Sequence, residues 1–178
     1  VRAEGPAPAD GPGADGLVAL ASHEQEACAE TLDFALAFEE RSDPSALAAS
    51  LAKALALFPE CAGRFVRRSV RVEGRPAPEE RRCILCNNAG AAFSHQELAG
   101  PMPEALGALP QELFDRAAGT RPKADGSLGG PLLRVRAAGF AGGGQLLLLS
   151  AARGLADQGG LGLLLRAWAR LHRGAPPG

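Results

Sequence analysis

With 178 residues, 46% of them hydrophobic, the chain is large enough for one packed domain or one lobe of a larger protein, and too apolar to be disordered throughout. Nineteen basic against twenty acidic residues leave a formal net charge of −1, which excludes an overall field drawing it to nucleic acid or anionic lipid. No apolar run approaches the roughly 18 residues of a membrane span, and four cysteines are too few for a disulfide framework, so a reduced, cytoplasmic protein is expected.

Residues 1 to 30 are expected to form a flexible N-terminal arm, since the first 16 are almost wholly Ala, Gly, Pro, Asp and Glu without hydrophobic period. From Thr31, Leu32, Phe34, Leu36 and Phe38 alternate with Asp33, Ala35, Ala37 and Glu39, the period of a half-buried strand. Asp43 then stands as N-cap and Pro44 as first residue of a helix. That helix places Leu47, Leu51, Leu55 and Phe58 on one stripe, with Ser45 and Lys53 on the other side, and Pro59 stops it. Strands are predicted over Arg64–Val72, Arg82–Cys86 and Ala91–His95, the last two joined by the turn Asn87-Asn88-Ala89-Gly90. Prolines 101, 103, 110 and 122 leave room for only one short helix, around Gln111–Ala117.

A strand follows in which Leu133 and Val135 alternate with Arg134 and Arg136, and Gly142-Gly143-Gly144 turns it into the apolar strand Gln145–Ala151. The closing helix carries Leu161, Leu164, Leu165, Trp168 and Leu171 on one face, with Arg166, Arg170 and Arg173 off it and Gly174 as its stop. The order of elements reads as a mixed α+β domain over residues 31–174. Residues 175–178 are expected to be a linker or cut end, and the opening on Val1 is expected to be a cut as well.

The chemistry concentrates between Pro131 and Gly174. A hairpin ends in a buried strand, a sharp turn holds Arg153-Gly154-Leu155-Ala156-Asp157, and Gly159-Gly160-Leu161-Gly162 leads into Leu165-Arg166-Ala167-Trp168. Upstream stand Asp43-Pro44, Leu55 with Leu57-Phe58-Pro59, Ala62-Gly63-Arg64, and Cys86-Asn87 with Ala89-Gly90 and Phe93. As a set these residues resemble the BAHD acyltransferases, in which the same turn carries a His-x-x-x-Asp-Gly motif. The resemblance covers roughly residues 31 to 174, the N-terminal of that family's two lobes.

It implies a chloramphenicol-acetyltransferase-like α+β lobe, a mixed β-sheet with flanking helices. It also implies acyl transfer from acyl-CoA, as co-substrate, to a small-molecule alcohol or amine, with no bound cofactor, no metal, and a missing C-terminal lobe as partner. In the family the motif histidine takes the proton from the acceptor, a role that suits an imidazole of pKa about 6.5. The aspartate shapes the turn. Carried over, Asp157 is the structural aspartate, and Gly154, Gly159 and Gly160 belong to the motif turn. Arg153 stands at the histidine position, and Gln158 stands where the glycine is expected.

Arginine, with a pKa above about 12, stays protonated and is no general base, although it can bind a carboxylate, a phosphate or an oxyanion. Losing the base costs on the order of 10²- to 10⁴-fold in rate. The family's second-lobe segment Asp-Phe-Gly-Trp-Gly has no counterpart, and the family's substrate tunnel lies between the lobes. A second reading is therefore a non-catalytic fragment or pseudoenzyme lobe that binds acyl-CoA or a partner lobe. A third is a condensation-type domain working with carrier proteins. For Arg153 itself the plain expectation is a solvated or ion-paired turn residue, with Asp157 as the candidate partner.

The remaining candidates read as structural. Cys83 and Cys86 have the spacing of a metal or redox pair but fall on opposite faces of a strand, and Cys28 and Cys61 carry no cue. None of His23, His95 and His172 lies in the motif turn; His172 falls in the last helical turn, where a cation suits the dipole. The loop 120–130, with Lys123, lacks the order of a phosphate-binding loop. A lobe without its partner is also expected to expose an apolar patch beside the motif turn.

Overall fold

The computed structural model describes residues 1–3, 16–21, 24, 25, 28, 30–72, 74–109, 111–114 and 129–177. Most of the expected arm, the loop 120–130 except its last two residues, His23 and the end of the helix expected at Gln111–Ala117 lie outside the described residues.

In chain order the elements are β1 (Leu17–Ala19), β2 (Thr31–Phe38), α1 (Pro44–Leu57), β3 (Arg64–Val70), β4 (Glu79–Leu85), β5 (Ala92–Leu98), β6 (Leu133–Phe140), β7 (Gln145–Ala152) and α2 (Gln158–His172). Single 3₁₀ turns occur at Pro59–Ala62, Leu106–Ala108 and Gln111–Leu113, the last where a longer helix was expected to start. The strands form two sheets: a three-stranded antiparallel one in the order β1-β4-β3, and a four-stranded mixed one in the order β2-β7-β6-β5. In the larger sheet only β5 and β6 run parallel. None of the described helices is long and apolar enough to cross a membrane.

β7 is the strand around which the larger sheet is built. Its sequence is apolar without alternation, and it lies between β2 and β6 with both faces covered, which is the environment such a run requires. Leu147, Leu149 and Ala151 point with Leu133, Val135 and Ala137 into the main core, against Leu161, Leu164 and Trp168 of α2 and Leu47, Leu51 and Leu55 of α1. Leu146 and Leu148 point the other way with Ala138 and Phe140, where Met102, Leu109, Leu113 and Phe114 of the β5–β6 connection cover them. The β6–β7 hairpin forms at the expected glycines: Gly143 and Gly144 adopt φ of +98° and +81°, which an L side chain rarely does, and Gly143 N–H donates to Phe140 O at 2.9 Å.

α1 starts as its sequence dictates, with the Asp43 carboxylate accepting from Ala46 N–H at 2.9 Å and Pro44 at the first position. Within the first 30 residues, β1 pairs Leu17, Val18 and Ala19 with Leu85, Ile84 and Cys83, and Leu20 is buried in the main core. Val1 and Ala91 also exchange backbone hydrogen bonds at 2.7 Å each way. These stretches dock on the lobe instead of trailing from it; a three-residue strand is too short to show a hydrophobic period. β3 stops two residues before the expected end, whereas β4 and β5 extend to Glu79 and Leu98 through polar residues that make ladder bonds without burial.

The two helices are fastened by one buried hydroxyl. Trp168 Nε1–H donates to Ser50 Oγ at 2.9 Å, Ser50 Oγ–H reaches Leu47 O at 3.0 Å, and His172 Nδ1 lies 3.1 Å from the same oxygen. With the serine proton given to Leu47, His172 donates from Nδ1, so the oxygen accepts twice and every group is satisfied. Replacing Ser50 by Ala strands the indole N–H inside the core. Ser50→Ala is expected to lower the unfolding free energy by about 1–3 kcal/mol, read as a fall in the urea midpoint at unchanged m-value.

Candidate functional site

The motif turn sits at the C-terminal end of β7. Thr31 pairs with Ala152 in the β2–β7 ladder, and the ladder carries one residue further: Arg153 N–H donates to Glu30 O at 2.9 Å. Leu155 N–H then closes the turn on Ala152 O at 2.8 Å, and the Leu155 side chain drops into the main core. Between them Gly154 lies against three neighbours. A Cβ there would stand 2.7 Å from Cys28 Sγ and 3.3 Å from both Glu24 O and Phe65 Cζ, so the close approach admits only glycine.

Asp157 ends the turn and begins α2. Its backbone is extended, and Oδ1 accepts from Gly160 N–H at 2.7 Å, the geometry of an N-cap. Gln158, Gly159 and Gly160 make the first helical turn beneath that carboxylate.

Arg153 projects from the turn into solvent, with its Nη1 donating to Glu30 Oε2 at 2.8 Å and with 55% and 61% of the two side chains exposed. The partner is Glu30, not the expected Asp157. Antiparallel pairing sets residue 30 across from residue 153, while the Asp157 carboxylate is engaged by the Gly160 amide. Such an exposed pair is screened and weak, so the guanidinium is available to another anion at little cost. Arg153 therefore offers a permanent cation, which can bind a carboxylate, a phosphate or an oxyanion and cannot take a proton from an alcohol.

The other described histidines lie elsewhere: His95 on β5 bonds Glu97 at 2.9 Å, and His172 bonds Ser50. Cys28, which the sequence gave no reason to single out, packs under Gly154; burial raises its thiol pKa, and the thiol donates to Glu24 O at 3.0 Å. Cys83 is fully buried and Cys86 half-buried, and burial followed by the nearby Glu60 carboxylate pushes Cys86 up to about 11. Both are free thiols, protonated at neutral pH, and among the described residues no three His, Cys, Asp or Glu side chains gather as a metal site. Among the described residues Phe38, Leu57, Leu106 and Leu163 are exposed large hydrophobic side chains, and Leu163 stands on α2, which the turn leads into.

Glu30 and Cys28 are the site residues the sequence did not disclose. Both fall in the segment read as an arm, and only the ladder of β2 with β7 brings them to the turn.

A mixed sheet flanked by two helices, with a glycine turn and a capping aspartate at the end of its central strand, defines an α+β lobe of the chloramphenicol-acetyltransferase type. A family model described as "Transferase family" matches residues 31–178, and the chain belongs to that family, the BAHD-type acyltransferases. No curated protein sequence matches it significantly.

Among solved structures it is similar to F. graminearum TRI101 complexed with coenzyme A and T-2 mycotoxin, at TM-score 0.62 and 15% identity over 90% of this chain and 40% of that one. Vinorine synthase gives TM-score 0.62 and 19% identity over 98% and 41%. The starter condensation domain of the rhizomide synthetase RzmA gives 0.59 and 14% over 91% and 39%. The chain thus spans about two fifths of the length of the structures it resembles.

Gly154→Ala is expected to lower stability by about 1–3 kcal/mol by overpacking, and Cys28→Ala, which removes the sulfur the new methyl meets, to recover part of that loss. A double-mutant cycle from urea unfolding tests it; additive effects would mean that the sulfur is not the obstacle.

Proposed function

We propose that the chain is the N-terminal lobe of an acyltransferase that moves an acyl group from acyl-CoA to a small-molecule alcohol or amine, with Arg153 standing where the catalytic base belongs. The observation that carries this reading is the motif turn itself. Gly154 packed against Cys28 and Phe65, and Asp157 capping α2, support reading it as a His-x-x-x-Asp-Gly turn with the titratable residue and the glycine after the aspartate changed. Asp157 acts on the shape of the turn and touches no reacting atom in this proposal. Binding of coenzyme A by the TRI101 structure supports acyl-CoA as the co-substrate.

The reaction needs a proton removed from the acceptor as its oxygen or nitrogen attacks the thioester carbonyl. Arg153 does not remove it; it can hold the carbonyl oxygen as negative charge develops there. A C-terminal lobe supplies the other wall of the substrate tunnel, and the cytoplasm is the compartment this reading assigns. The second reading is a non-catalytic lobe that holds acyl-CoA or a partner lobe, and it is supported by an exposed arginine, unable to act as a base, at the position of the turn where the base is expected. The neighbour from a condensation domain keeps a carrier-bound thioester as the third donor to test.

Coenzyme A release from acetyl-CoA with a panel of alcohols and amines separates these readings in the full-length protein carrying this lobe. Arg153→His is expected to raise kcat/KM by about 10²- to 10⁴-fold. Retained acyl-CoA binding with no turnover in either form would select the non-catalytic lobe. Turnover with a carrier-bound thioester alone would select the condensation reading.

A further inference from the structure

The segment from Arg64 to Leu85, which forms β3, β4 and their connection, holds seven arginines and three glutamates in a chain whose formal net charge is −1. The register sets Arg67 directly opposite Arg82, and Arg68 directly opposite Arg81. Two like-charge pairs facing each other across one ladder cost stability. Protection of the β3 edge against pairing with other chains does not explain them, because a glutamate at either member of each pair would protect the edge equally and without repulsion.

The two pairs lie on opposite faces. Arg67 and Arg82 continue the face of Phe65 and Ile84, just beyond the main core, and with Gln25, Arg81 and Glu80 they line a hollow of about 330 Å³. The Gln25 side chain fixes the wall: its amide accepts from Arg82 N–H at 2.8 Å and donates to Arg82 O at 3.0 Å, continuing the pairing where β1 ends. Arg82 Nη1 donates to Gln25 O, so that guanidinium is held in place. Arg81 shares the Glu79 carboxylate with Arg75, and Arg67 has no acid partner among the described residues.

We infer that Arg67 and Arg82 form a binding site for a phosphate-bearing anion on the β3–β4 ribbon. Two guanidinium groups facing each other across the ladder present forked N–H donors to a tetrahedral oxyanion of charge near −2, which neutralises both at once where a carboxylate neutralises one. The bound anion relieves the Arg67–Arg82 repulsion, so the cost in the free protein becomes affinity in the complex. The site is independent of the acyl-transfer reading, although Cys28 touches both Arg82 and the place of Gly154, one side chain from the motif turn.

Calorimetric titration with inorganic pyrophosphate at constant ionic strength tests the inference. The unaltered protein is expected to bind, Arg67→Gln to bind at least about tenfold more weakly, and Arg67→Glu to lose binding while its urea midpoint stays equal or rises. Arg68→Gln, on the other face, is expected to bind as the unaltered protein does. Displacement of pyrophosphate by coenzyme A but not by pantetheine would assign the phosphate to that co-substrate; displacement by neither would assign it to another phosphate ester. Absence of pyrophosphate binding in the unaltered protein, binding undiminished in a folded Arg67→Gln, or an equal loss in Arg68→Gln overturns the site.

Discussion

β7 is buried along its whole length and on both faces, and the positions of the other elements follow from that. A strand of this kind needs a partner on each side and a cover on each face. β2 and β6 supply the partners, the two helices cover one face, and the long β5–β6 connection covers the other. Its four consecutive leucines divide between the two cores, and each contributes burial on the order of 1.5–3 kcal/mol. The two polar residues in the strand are satisfied from the neighbouring edge: Ser150 donates to Asp33 at 2.7 Å, and the Gln145 amide brackets the backbone of Ser42 at 3.2 and 3.3 Å. A strand anchored in this way ends at a fixed place, and the motif turn inherits that precision.

Within the turn, scaffold and chemistry fall on different residues. Gly154 is dictated by the sulfur, carbonyl and ring beneath it, and Asp157 by the helix it caps. Arg153 is held only through its backbone; the side chain points outward to an equally exposed glutamate. Of the three, the side chain of Arg153 is therefore the one the fold constrains least. A change of side chain there would alter the chemistry on offer while leaving strand, turn and helix intact.

What was legible in the sequence was local. The cap at Asp43, the glycine hairpin after Phe140, the unbroken apolar run of β7 and the leucine stripe of α2 each express a short-range rule, and each element stands where the rule puts it. What was not legible depends on distant partners. The parallel pairing of β5 with β6, the docking of β1 on β4, and the convergence of Trp168 and His172 on Ser50 join residues with no shared local signature. Pairing Arg153 with Asp157 failed for a related reason. Closeness in sequence suggested it, but the helix had first use of the carboxylate, and the strand register brought Glu30 instead.

Net charge hides a comparable non-local feature. Near-neutrality over 178 residues excludes a global field, yet it is reached by cancellation between an arginine-rich ribbon and an acidic remainder. Screening in physiological salt acts over about 8 Å, so a ligand at the ribbon responds to the arginines beside it and hardly to acids across the molecule. The register then decides what those arginines can do. Spread along one strand they would be a solvated face; set opposite one another, with Arg82 tethered by Gln25, they become a concentrated and partly ordered positive charge. Total charge describes how the protein behaves as a particle, and the pairing of two strands determines whether it holds an anion.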